Sequence, residues 1–227
     1  MVIRKIRGLS NRVLQNLELE YRKGTILPFS QLSLRFPNLL ANPPDVEELK
    51  KAHQEYVSAI SSPEMAASFE LSRFLLCAQK ELKVAKAVDL GSGFTSFILR
   101  RSGNATTVWS VDDDERWLAK TAAYLSSKGV STSNLCSLSV FIDSGESDFD
   151  LIVLDLNYVE VRKNYIDLVL KRCAPGGMVV FDDVHKPHFR LEVLRHCKGH
   201  PVELYDLKPV TTDQYGRYAM FAIKTKE

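Results

Sequence analysis

The feature that most constrains this chain is an alternation that begins near residue 85. Short apolar runs at 85–90, 107–111, 138–142, 151–154 and 178–181 are separated by segments of helical periodicity. Runs this apolar, divided by helices, fit the strands of a parallel sheet that is covered on both faces. Two more strands are expected at 202–207 and 217–223, joined across 209–216. The expectation is a doubly wound, seven-stranded α/β domain over 85–227, preceded by a helical region over 1–84.

The first part of that helical region is basic. Arg4, Lys5, Arg7, Arg12, Arg22 and Lys23 outnumber Glu18 and Glu20, while Ile3, Ile6, Leu9, Val13 and Leu17 recur at helical intervals. Such a face is expected to dock on its own domain, or on a sister subunit in a homodimer, rather than on a membrane. Pro28, Pro37, Pro43 and Pro44 exclude a long helix between residues 24 and 44, which reads as an ordered connection or a lid. A helix is expected over 44–60, and a second, started by Ser61-Ser62-Pro63-Glu64, to about residue 82.

Thirty Lys and Arg against 28 Asp and Glu give no field that favours nucleic acid, so no nucleic-acid partner is expected. No apolar stretch approaches the roughly 18 residues of a membrane span. Cys77, Cys136, Cys173 and Cys197 show no Cys-x-x-Cys pairing and read as reduced thiols; with no mark of export, a cytoplasmic protein is expected.

The run Val88-Asp89-Leu90-Gly91-Ser92-Gly93 is a strand closing on a two-glycine turn that opens a helix. Glycine there lets the backbone turn tightly and lets a ligand approach. Asp89 puts a carboxylate at the strand end, suited to a ligand ammonium and repulsive to a pyrophosphate. Ser96 also replaces the third glycine of the dinucleotide pattern, so an NAD-dependent oxidoreductase is the weaker reading. The next strand ends in Asp112-Asp113-Asp114-Glu115, and Asp112 is expected to accept from a ribose diol. Asp113 belongs to the same expected cofactor site, and Asp113 or Asp114 caps the following helix.

These two motifs, Val88 to Gly93 and Ser110-Val111-Asp112, resemble those of class I S-adenosylmethionine (SAM)-dependent methyltransferases, over roughly residues 62–224, with Thr95 at the usual third glycine. The resemblance implies a Rossmann-like sheet with a terminal antiparallel strand. It implies that Asp89, Gly91, Ser92 and Gly93 hold the methionine end of SAM and that Asp112 holds its ribose.

Asp150-Leu151-Ile152-Val153-Leu154-Asp155 and Met178-Val179-Val180-Phe181-Asp182-Asp183 are two apolar strands that both end in acid. As parallel neighbours they bring Asp155, Asp182 and Asp183 to one edge, where hard oxygen ligands suit Mg2+ or a similar divalent cation. The same segments, with Ala174-Pro175-Gly176-Gly177 and His185, are similar to small-molecule O-methyltransferases of the catechol and macrocin type. That resemblance implies a cation on the three acids and a small-molecule hydroxyl as acceptor. Asp155 and His185 are the candidate catalytic bases. After Asp155 the chain reads Leu156-Asn157-Tyr158 and offers no base or lysine there, which keeps a non-catalytic, SAM-fold binding protein as the alternative. Phe29, Phe36 and Tyr56 are expected at the acceptor site.

Overall fold

The computed structural model describes residues 26–40, 43, 45–101 and 107–226. The basic segment expected to form an amphipathic helix at residues 1–23 lies outside them. Strands β1 (Ile26–Leu27), β2 (Lys86–Leu90), β3 (Thr107–Asp112), β4 (Leu135–Ser137), β5 (Phe149–Leu154), β6 (Cys173–Phe181), β7 (Val202–Asp206) and β8 (Met220–Lys224) form one sheet. Its order is β1-β7-β8-β6-β5-β2-β3-β4. All neighbours are parallel except β8, which runs antiparallel to both β6 and β7.

The sheet thus has the expected terminal antiparallel strand and six of the seven expected strands; 135–137 pairs in place of the run at 138–142, and one further strand makes eight among the described residues. The extra strand comes from the proline-rich connection, where Ile26 and Leu27 pair with Leu204 and Tyr205 before Pro28 ends the ladder. A two-residue strand followed by proline covers the β7 edge and leaves little for another chain to extend.

Helices α1 (Phe29–Arg35), α2 (Val46–Ala59), α3 (Phe69–Glu81), α4 (Phe94–Arg101) and α5 (Glu115–Ser127) precede α6 (Leu138–Ser144), α7 (Val159–Arg162), α8 (Ile166–Arg172), α9 (Pro187–Cys197) and α10 (Lys208–Thr211). Alternate strand residues face two cores, as the pleat requires. Ala87, Val153, Val180 and Phe221 pack with Leu49 and Tyr56 of α2, Phe74 and Leu75 of α3, Phe94 of α4 and Tyr124 of α5. Val88, Ile152, Val179 and Ala222 pack with Phe141 of α6, Val169 of α8 and Val193 of α9. The helices before residue 82 therefore share a core with the sheet.

Two elements differ from expectation. The run at 138–142 is not a strand but the body of α6. Ser137 caps it by accepting from the Val140 amide at 3.4 Å, and Leu138 and Phe141 turn inward while Val140 and Ile142 stay exposed. The pattern is i, i+3, although a short apolar run reads equally well as a strand. Ser62 and Pro63 do not begin α3, which starts at Phe69 under a Ser68 cap accepting from Leu71 at 3.0 Å. Arg217 draws the Pro63 and Glu64 carbonyls to its guanidinium at 2.9 and 2.5 Å, away from helical amides.

At the carboxyl end of the sheet the chain leaves β2 towards β3 and leaves β5 towards β6, on opposite sides. Open α/β sheets bind their ligands at such a divergence. Gly91 makes it passable: its φ is +107°, and a Cβ would stand 2.3 Å from the Asp155 carbonyl oxygen. We expect Gly91→Ala to lower stability by about 3 kcal/mol or more, combining positive-φ strain with overpacking. Chemical denaturation measures it, and an unchanged midpoint would contradict the contact.

Candidate active site

Strand register sets the site. Leu90 pairs with Val111 and with Leu154, and Leu154 with Phe181, so Gly91, Asp112, Asp155 and Asp182 follow in one row along the sheet edge. The ladder continues one bond into that row, from Gly91 to Val111 at 2.8 Å, Asp155 to Leu90 at 2.7 Å and Asp182 to Leu154 at 3.2 Å. Above the row lies a cavity of about 480 Å3, walled by the turn 91–95, the acids 112–114, Trp117, Tyr56 and the Asp155, Asp182 and Asp183 group.

Asp89 does not reach that cavity. It is fully buried, and its carboxylate accepts from the hydroxyls of Ser110 at 2.5 Å, Ser96 at 2.6 Å and Thr95 at 3.2 Å. Arg100 bonds Ser110 Oγ at 2.5 Å and so faces Asp89 through that serine. Burial raises the Asp89 pKa, while Arg100 and the hydroxyls oppose the rise. The expected contact of Asp89 with a ligand ammonium is thus corrected: its oxygens are engaged by three side chains, two from α4 and one from β3.

Gly91, Ser92 and Gly93 line the cavity, but their amides are already bonded, to the Val111 carbonyl, to Asp112 Oδ2 at 2.8 Å and to Ser96 Oγ at 3.0 Å. Asp112 lines it too, accepting from Ser92 Oγ at 3.0 Å and the Asp114 amide at 3.1 Å. Burial raises its pKa, against the bonds from Asp114 and Ser92. Asp113 accepts from Asn157 Nδ2 at 2.8 Å, tying the loop after β3 to the loop after β5. Asp114 is the α5 cap.

Tyr56 lines the cavity beside the glycine turn, whereas Phe29 and Phe36 pack against the core instead. Among the described residues the Tyr56 hydroxyl has no hydrogen-bond partner, although the residue is only 1% exposed. It stands 3.0 Å from where a Gly93 Cβ would be, so Gly93 makes room for this phenol. Burial, with Tyr124 and then Asp89, Asp112 and Asp155 nearby, raises its pKa and keeps it a donor. An orphan buried hydroxyl costs about 1–3 kcal/mol, which a ligand acceptor would recover.

The acids beyond β5 and β6 have a cationic side chain of the chain itself among them. Arg162, its side chain 3% exposed, lies among them with Nη2 2.6 Å from Asp155 and Nη1 3.6 Å from Asp183. Among the described residues no group of three or more His, Cys, Asp or Glu is arranged to hold a metal ion. The guanidinium thus stands beside Asp155 and Asp183, two of the three acids expected to hold a cation. Nothing short-range in the sequence marks Arg162; its position as the last residue of α7 brings it back under the strand ends.

His185 does not line the cavity either. Its Nδ1 is 3.5 Å from Asp183 without a hydrogen bond, and burial lowers its pKa. Lys186 bonds Asp183 at 2.8 Å. His53 bonds the Ala67 carbonyl, His188 pairs with Glu160, and His196 and His200 share Asp167.

Burial and then Asp183 push Asp182 up to about 6, against Arg162. Its folded carboxyl holds a proton that an unfolded one, near ~3.9, has released. The contribution of Asp182 to stability should therefore fall as pH rises from about 4 to about 6, and Asp182→Asn should remove that contribution from the unfolding profile. Profiles of equal slope there in both proteins would contradict it.

No family model matches this chain, and no curated protein does. Solved structures do. The O-methyltransferase TomG from Streptomyces achromogenes, involved in tomaymycin synthesis and solved with SAM, shares 18% identity over 86% of this chain and 96% of its own, at a TM-score of 0.58. The O-methyltransferase from Bacillus cereus, solved with S-adenosylhomocysteine (SAH), shares 15% over 86% and 97%, at 0.62. An rRNA methylase from Streptococcus thermophilus shares 18% over 68% and 96%, at 0.52. The chain has the fold of the class I SAM-dependent O-methyltransferases. Among the described residues no helix is long and apolar enough to cross a membrane.

Proposed function

We propose that this chain is a SAM-dependent methyltransferase acting on the hydroxyl of a small molecule. The observation that carries the reading is the cavity at the strand divergence. One wall has the glycine turn, Asp112 and the orphan Tyr56 hydroxyl; the other has Asp155, Asp182 and Asp183. Its volume suits a ligand of nucleoside size. On the glycine-turn side, Asp112, Asp113 and Asp114 give a wall that repels a pyrophosphate and tolerates a sulfonium, which favours SAM over NAD.

In this reading the ribose diol meets Asp112, with Asp113 beside it, and the methionine end lies along Gly91, Ser92 and Gly93, with Tyr56 donating to its carboxylate. Asp89 shapes the turn from behind. SAM supplies a methyl group already activated as a sulfonium, so the protein's work is alignment. Asp155 lines the cavity, and burial, against Arg162, raises its carboxyl well above the ordinary carboxylate range. In its ionised form, which the Arg162 contact favours, Asp155 is the acid on the wall that can take the acceptor's proton. His185, outside the wall, receives no role. The fold is also that of an rRNA methylase, so the acceptor class rests on the size of the cavity and the near-neutral charge.

Isothermal titration with SAH tests the reading, followed by an acceptor screen that includes catechols, sugars and RNA. Micromolar binding is expected. Asp112→Ala should weaken it by about 1–3 kcal/mol through lost charge-assisted bonds. Tyr56→Phe should weaken it by about 0.5–1.5 kcal/mol without lowering the unfolding midpoint, because its hydroxyl has no partner to lose. A folded chain that binds no SAH would favour the non-catalytic alternative.

A further inference from the structure

We propose that Arg162 takes the place of a divalent cation at this site, so that the chain binds no metal there and the guanidinium positions Asp155. As a statement about the reaction this rests on the methyltransferase reading above; as a statement about cation binding it stands on geometry alone.

The guanidinium is built in rather than draped. Nε donates to the Leu156 carbonyl at 3.2 Å, Nη1 to the Asp182 carbonyl at 3.1 Å and Nη2 to the Asn157 carbonyl at 2.9 Å. Its remaining reach goes to Asp155 at 2.6 Å and Asp183 at 3.6 Å, with the Phe189 ring 5.6 Å away. Three backbone carbonyls, from the loops after β5 and β6, fix the plane of the fork, and two carboxylates receive its charge. Such a planar donor set is what distinguishes arginine from a mobile lysine.

Charge balance agrees. Three carboxyls on one sheet edge are costly unless something neutralises them. Here Arg162 is joined by Lys186, which bonds Asp183 at 2.8 Å, and Arg217 lines the same cavity. A divalent ion centred on the acids would have to displace a side chain that is almost wholly buried. Arg162 touches Asp155 within the cavity wall, so it acts as a positioning residue that orients this carboxylate towards the acceptor.

Mn2+ titration of the chelator-treated full chain, read by loss of the free-ion paramagnetic resonance signal, tests the assignment beside an SAH titration of the same samples. Wild type is expected to bind no Mn2+ at millimolar concentration. Arg162→Met, which leaves Asp155 without its guanidinium, should bind one ion at least tenfold more tightly than wild type, and Arg162→Met/Asp155→Asn should lose it again. One Mn2+ bound by wild type and lost in Asp155→Asn overturns the proposal, as does a cooperatively folding Arg162→Met that gains none. Where Arg162→Met does not fold, the wild-type and Asp155→Asn titrations decide. Absent SAH binding with no Mn2+ bound sinks the functional reading and leaves the cation assignment standing.

Discussion

A carboxylate with no exposure to water holds the cavity wall in shape. Asp89 sits one residue inside the end of β2 and gathers hydroxyls from Thr95 and Ser96 of α4 and from Ser110 of β3. Those bonds fasten the entry of α4 to two strands, so the turn between them has one available path. Burying the charge is expensive, and the expense is offset by three hydroxyls and by Arg100 through Ser110. Arg100 in turn bonds the carbonyls of Ser96, Val108 and Ser133, which extends the brace to the loop before β4.

The second constraint is crowding at the divergence of β2 and β5. The Asp155 carbonyl occupies the space a side chain at residue 91 would need, so the two loops part at van der Waals contact. Because the parallel strands are in register, that contact also aligns Asp112, Asp155 and Asp182 along the edge. The Asp113 to Asn157 bond then links the two loops beyond it. In the proposed reading one side of the cavity takes a nucleoside and the other an acceptor group, with Arg162 beside the acids of the second side.

Much of this was legible in the sequence. The parallel strands announced themselves by apolar runs ending in acid, and the glycine turn with the acid after the next strand located the cavity. What escaped was set by contacts that no spacing in the sequence announces. The saturation of Asp89 depends on Ser96 and Ser110, and the occupation of the acid cluster depends on Arg162 returning beneath β5 and β6. Neither leaves a motif. Tyr56 was legible only as an aromatic on a helix, and its orphan hydroxyl appears once α2 packs over Gly93. The run at 138–142 misled because its burial has helical spacing over too few residues to separate from alternation.

The central claim is that the turn and Asp112 form a nucleoside-sulfonium site completed by Tyr56, and a crystal structure of the SAH complex tests it most directly. The account predicts the ribose hydroxyls on Asp112, the ligand's amino-acid end along residues 91–95, and the Tyr56 hydroxyl on a ligand acceptor. A ligand bound in another crevice, or bound here with the Tyr56 hydroxyl still unpartnered and Asp112 bonded only to Ser92 and Asp114, would contradict it.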